Sequence, residues 1–243
     1  MGEQARLYLI FDMLGDTERS GPLLWHVNRE RLEDIKDHVF DIIAMDKILE
    51  PYMPVHINHE RIIDLALVHD LEEVLTGDIT GFEGVSKEEK NRVNQIAIDY
   101  LVENFGRILP FKRLFYEFEN NTTIESKICH IFDKVQSILP FAKYDQEQLI
   151  DMDNPLIIES LRKLPLIENG RKEGKTLSEL FYDYHIKSIN ITDEEVELYH
   201  ITRAEADSIC AVIKRFIDDV IIQTKNIRQI KEEFPENAGV HKH

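Results

Sequence analysis

Four side chains of metal-binding type stand where helical periodicity asks for apolar residues: His38, His69, Asp70 and Asp133. His38 lies three residues after Ile35 and four before Ile42, inside the stripe that a helix would bury. His69 follows Leu65 and Ala66 at the same two spacings, Asp70 follows Ala66 and Leu67, and Asp133 follows Cys129 by four residues. Burying one unpaired polar group costs about 1–3 kcal/mol, and an isolated carboxylate more. A divalent cation would compensate all four at once, because two imidazoles and two carboxylates offset its charge and leave positions for water or substrate oxygens. A metal-free hydrogen-bonded network is the plainer reading of any one of them. The adjacency of His69 and Asp70 favours the metal.

Glu73 stands four residues after His69 and three after Asp70, on the same face if the helix is continuous, where it can accept or donate a proton. Glu72, about a hundred degrees round such a helix, is expected in solvent. Asp78 follows Gly77 at the end of the same segment and is a candidate to orient water or a ligand hydroxyl, although an Asp after a helix-ending Gly is also ordinary turn chemistry. Glu73 and Asp78 are the catalytic candidates.

The elements that must position these groups all read as helices, giving an all-α fold. Apolar residues recur at helical spacing from Glu33 to Leu49 until Pro51 and Pro54 end the run. A second helix is expected from Asn58 or His59 to Gly77, then a loop from Asp78 to Val85. Ser86 with Glu89 opens a helix to Gly106, Phe111 to Glu119 forms another, and Thr122 with Glu125 opens one to Leu139, interrupted at Pro140. The stretch from Asp145 to Asn190 is less regular, with an exposed loop expected over Asn169 to Lys175. Helices resume at Thr192 to Leu198 and from Ala204 to about Ile230, and Glu233 to His243 reads as frayed. The expected organisation is a core over 1–145, a helical C-terminal extension packed on it over 146–232, and a tail over 233–243.

Composition bounds the partners. Across 243 residues, 29 Lys+Arg against 46 Asp+Glu give a net charge of −17, which argues against a nucleic-acid polymer. A small phosphorylated ligand is compatible with that balance, because a bound cation and a few local Arg or Lys side chains set the field in a cleft. Cys129 and Cys210 fit neither a disulfide framework nor a CxxC metal pattern, so a reducing, cytoplasmic setting is expected. No signal peptide and no membrane span are read from the sequence.

The order His38, then His69-Asp70, then Asp133 resembles the HD-domain superfamily of metal-dependent phosphohydrolases. The run from His69 to Asp78, with HDxxE followed by Gly77-Asp78, is similar to the subgroup that contains bacterial 5′-deoxynucleotidases. Glu33 to His38, Asp133 to Gln136 and Tyr144 agree, and the likeness covers roughly residues 20 to 145. It implies an HD-domain helical bundle with His38, His69, Asp70 and Asp133 as ligands of one divalent ion (Mn, Co, Fe, Ni, Zn or Mg). It also implies Glu73 as the proton-handling carboxylate, Asp78 in the pocket, and a (deoxy)nucleoside 5′-monophosphate as the small-molecule substrate.

That subgroup carries an Arg-Trp pair upstream of the first His. This chain has Trp25, Arg29 and Arg31 with no adjacent pair, and these three, with His130, are the substrate-binding candidates. Asn94 stands where a Glu is expected, and His130 where Lys is common; a hydrogen-bonding role beside Asp133 is favoured for His130. His26, His56, His59, His185 and His200 match no ligand spacing and are expected at the surface or at caps. Alternatives are a (d)NTP triphosphohydrolase or pyrophosphohydrolase of the same superfamily, and a non-catalytic nucleotide-sensing module. A homodimer is left open.

Overall fold

The computed structural model describes residues 1–79, 85–161 and 165–226. Helices occupy most of these residues, and among them no strand forms beyond a single antiparallel bridge between Glu18 and Asp34. In chain order the helices are α1 (Gly2–Met13), α2 (Ser20–Leu24), α3 (Ile35–Leu49), α4 (His59–Val68), α5 (Glu73–Thr76), α6 (Lys87–Phe105) and α7 (Phe111–Glu119). They continue with α8 (Ile124–Gln136), α9 (Ile138–Gln146), α10 (Pro155–Leu161), α11 (Pro165–Lys172), α12 (Leu177–His185), α13 (Asp193–Tyr199) and α14 (Arg203–Thr224).

Caps set the helix starts. Asp34 accepts from the Asp37 amide at the head of α3, and Asn58 from the Arg61 amide at the head of α4. Ser86 caps α6 as expected, whereas the cap of α8 is Thr123 paired with Ser126, one residue later than the Thr122 and Glu125 pattern suggests.

Helices α3, α4 and α8 pack pairwise against one another, and α7 lies on α4. Their buried faces contribute Ile35, Ile42, Ile62, Leu65, Ile128 and Phe132 to one core, which Ile209, Ile213 and Ile217 of α14 join. Arg61 of α4 pairs with Glu117 of α7, and Glu117 also accepts from the Thr123 hydroxyl at 2.9 Å, tying the starts of α4 and α8 to the end of α7. A second core of Trp25, Phe141, Tyr144, Leu177, Leu180 and Phe181 forms where α12 packs on α9.

Three further expectations are corrected. The helix expected to run to Gly77 ends at Val68, and residues His69–Glu72 form tightened turns before α5 begins. The amides of Leu71 and Glu73 bond to Val68 and Asp70, three residues back, so the chain winds more tightly there than an α-helix. The helix expected to stop at Pro140 breaks at Ser137 instead; Pro140 sits in the first turn of α9, where a missing amide hydrogen costs little. The loop expected over Asn169 to Lys175 is helical as far as Lys172. Its glycine reflects packing rather than a turn, because a Cβ on Gly170 would lie 2.0 Å from Cδ2 of Leu180. The frayed tail expected over Glu233 to His243 lies outside the described residues, and so do residues 80–84 of the loop after Asp78. No described helix is long and apolar enough to cross a membrane.

Leu65 is fully buried between the three central helices. Leu65→Ala should lower unfolding stability by about 2–5 kcal/mol, measured by urea denaturation.

Candidate metal centre and cleft

Each histidine of the cluster is aimed by the nitrogen that faces away from it. His69 Nδ1 donates to the Ala66 carbonyl at 2.8 Å, which leaves Nε2 as the lone-pair atom. His38 Nδ1 donates to Gln136 Oε1 at 2.7 Å. The Gln136 amide is itself oriented: its Nε2 donates to Glu33, and to Asp41 at 3.1 Å. Carboxylates accept only, so the amide oxygen must face His38.

Both Nε2 atoms are buried and make no hydrogen bond. They converge on carboxylate oxygens. His38 Nε2 lies 3.2 Å from Asp133 Oδ1 and 3.6 Å from Asp70 Oδ2, and His69 Nε2 lies 3.1 Å from Asp70 Oδ2. Donor atoms of His38, His69 and Asp133 all fall within 4.8 Å of one another. Two buried imidazole lone pairs facing ionised carboxylates suit a divalent cation that accepts nitrogen and oxygen.

The electrostatics agree. Burial opposes charge on His69, yet the Asp70 carboxylate outweighs it and raises the imidazole to about 9. Burial likewise opposes ionisation of Asp70 and Asp133, but His69 holds Asp70, and Lys134 with His38 holds Asp133, below the ordinary carboxylate range. A field this negative draws a cation, whether a proton on His69 or a metal in its place.

Glu73 is buried beside the cluster, 6% exposed, and burial, then Asp70 and Asp78, push its carboxyl well above the ordinary range. Glu72, expected in solvent, is instead 4% exposed and hydrogen-bonded at 3.2 Å by Asn94 Nδ2, and burial followed by Asp70 raises it to about 8. The tightened turns after Val68 remove the continuous-helix geometry on which its expected exposure rested.

Asp78 is held by the start of α2 and the segment that leads into it. The Ser20 amide donates to Asp78 Oδ2 at 2.8 Å, and the Ser20 hydroxyl bonds to the Asp78 carbonyl. Arg19, which sequence reasoning missed, enters with that segment, pinned by its amide to the Glu33 carbonyl at 2.9 Å. Its guanidinium lies 3.7 Å from Asp70 and 4.0 Å from Asp78. Burial works against its charge, and Asp78, Asp70, Glu33 and Glu73 more than restore it. The one signal was an Arg six residues upstream of Trp25.

A cleft of about 160 Å³ meets the cluster at Asp133, with Arg19, Asp78 and Lys134 also in its lining. Trp25 also lines it but is almost wholly buried in the second core. Arg29 and Arg31 lie elsewhere, in a separate cleft of about 360 Å³, and Arg31 is held by Asp37 at 2.8 Å. His130 does not reach the cluster: it donates to the Phe118 carbonyl at 2.8 Å and stacks on the Phe118 ring, whose centroid is 5.0 Å from that of His69. Two further histidines depart from the expected surface positions. His59 binds the buried Asp46 at 2.7 Å, and His185 lines the cleft.

Residues 11–160 match the HD domain family. The chain belongs to that family. It is 32% identical over 143 residues to a 5′-deoxynucleotidase of Schizosaccharomyces pombe, covering 55% of this chain and 68% of that protein. Identity to a 5′-deoxynucleotidase of Homo sapiens is 28% over 148 residues, covering 59% and 71%. A predicted metal-dependent phosphohydrolase from Magnetospirillum magnetotacticum shares the fold, with a TM-score of 0.52 at 16% identity over 92% of this chain and 96% of its own.

Gln136 touches no donor atom of the cluster except through His38, so it tests the aiming. Gln136→Leu should keep the fold and weaken divalent-metal affinity about 10–100-fold, read by competitive metal titration.

Proposed function

We propose that the protein is a metal-dependent 5′-nucleotidase that hydrolyses deoxyribonucleoside 5′-monophosphates to nucleoside and phosphate. The observation that carries this is the pair of buried Nε2 atoms, unbonded and facing two ionised carboxylates, one of which, Asp133, lines a cleft. The identity to 5′-deoxynucleotidases supports the reaction class.

In this reading His38, His69, Asp70 and Asp133 hold one divalent ion. When bound, such an ion supplies Lewis acidity to a phosphoryl oxygen and acidifies water. The chain does the rest. Arg19 and Lys134 bring two positive charges to the cleft of a chain whose net charge is −17, and so give the substrate phosphate a place to dock. Asp78, fixed by Ser20, orients a hydroxyl or water at the cleft wall. Glu73, buried beside Asp70, handles the proton that must reach the leaving 5′ oxygen. In the same reading the catalytic core spans residues 1–145, and the described helices after it, α10 to α14, belong to an extension over 146–232. Two free cysteines fit a reducing compartment, and cytoplasmic placement belongs to the same reading.

His69→Ala and Asp70→Ala should each remove bound metal and phosphate release together, read by elemental analysis and a phosphate assay. Full activity in a folded variant would refute the reading. Glu73→Gln should retain metal while turnover falls about 10²–10⁴-fold. Across nucleotides, orthophosphate should appear from monophosphates; tripolyphosphate or pyrophosphate from dNTPs would instead mark a triphosphohydrolase or pyrophosphohydrolase.

A further inference from the structure

One wall of the cleft that contains Asp133 comes from a helix outside the family-matched residues 11–160. Helix α12 places Phe181 and His185 there. Three rings form a column. Phe141 of α9 stacks on Phe181 with centroids 4.1 Å apart and planes 20° apart, and Phe181 stacks on His185 at 5.6 Å and 30°. Trp25 meets Phe181 edge-on at 5.8 Å.

Exposure differs along this column. Phe141 and Phe181 are 3% and 9% exposed, so neither ring has surface left to offer a ligand. His185 is half-buried and lines the cleft together with Lys134 and Asp133. Tyr184 meets its ring edge-on at 4.9 Å and 88°, which fixes the plane of the imidazole from outside. Burial, then Lys134, lowers the imidazole to about 4, so the ring is neutral near pH 7 and does not compete for the phosphate.

We propose that His185 is a specificity-determining residue, the plate on which the nucleobase of the substrate stacks while the phosphate lies beside Asp133 and Lys134. This rests on the nucleotidase reading and names what holds the far end of the substrate. Arg19 and Lys134 supply positive charge for the anionic end beside Asp133, and the neutral His185 ring supplies a flat surface in the same cleft. Stacking tolerates any base, because every base has a π face, so the selection is for nucleotides over phosphate esters that lack a base. Phe141 and Phe181 are positioning residues that keep the plate upright.

The test compares dAMP with 2-deoxyribose 5-phosphate, which carries the same sugar phosphate without a base, on the full metal-loaded chain. His185→Ala should lower kcat/KM for dAMP about tenfold more than for the baseless ester, mostly through KM. His185→Phe, which keeps a flat ring but no ring nitrogen, should restore most of that discrimination. Equal losses on the two esters, no loss on either, or failure of the Phe variant to restore discrimination overturns the stacking role. Absence of phosphate release from both esters by the unaltered chain overturns the nucleotidase reading itself, and the inference with it.

Discussion

The structure depends on aiming two imidazole lone pairs at one point inside a helical core. An imidazole ring free to turn about its Cβ would spend much of its time facing elsewhere, so each ring is held by its other nitrogen. For His69 the holder is the Ala66 carbonyl in the last turn of α4, just before it. For His38 it is an amide on a different helix, and that amide is oriented by two carboxylates, Glu33 and Asp41. Packing of α3, α4 and α8 against one another brings these partners within reach, so the apolar contacts and the polar ones specify the same arrangement.

Much of this is legible in the chain because a helix that must bury one face leaves a readable stripe, and polar residues in the stripe stand out. His38, His69, Asp70 and Asp133 are conspicuous for that reason; donor atoms of His38, His69 and Asp133 fall within 4.8 Å of one another, and Asp70 Oδ2 lies 3.1 Å from His69 Nε2. Periodicity carries no information about departures from the helix. The turns at His69–Glu72 contain neither Gly nor Pro, so nothing in the local sequence announces them, and the burial of Glu72 follows from them. Arg19 reaches the site through backbone bonds between an extended segment and the start of α3, a tertiary pairing with no periodic signature. Gly170 illustrates the opposite error, since a residue usually associated with turns is there to let two helices approach.

The chain is strongly acidic, yet the cleft holds Arg19 and Lys134, each beside carboxylates that keep it charged. Local placement rather than total charge therefore decides which ligands the cleft admits. The C-terminal helices contribute on two levels. Helix α14 completes the main core with Ile209, Ile213 and Ile217, and α12 completes the second one beside the cleft.

The Gln136 side chain meets His38 across 98 positions of sequence and Glu33 across 103. Such separations make the centre a product of late assembly on a growing polypeptide: the first histidine is synthesised long before the group that orients it. Until α8 has emerged and docked, His38 lacks the amide that orients it, so the convergence of the two Nε2 atoms is coupled to completion of the fold.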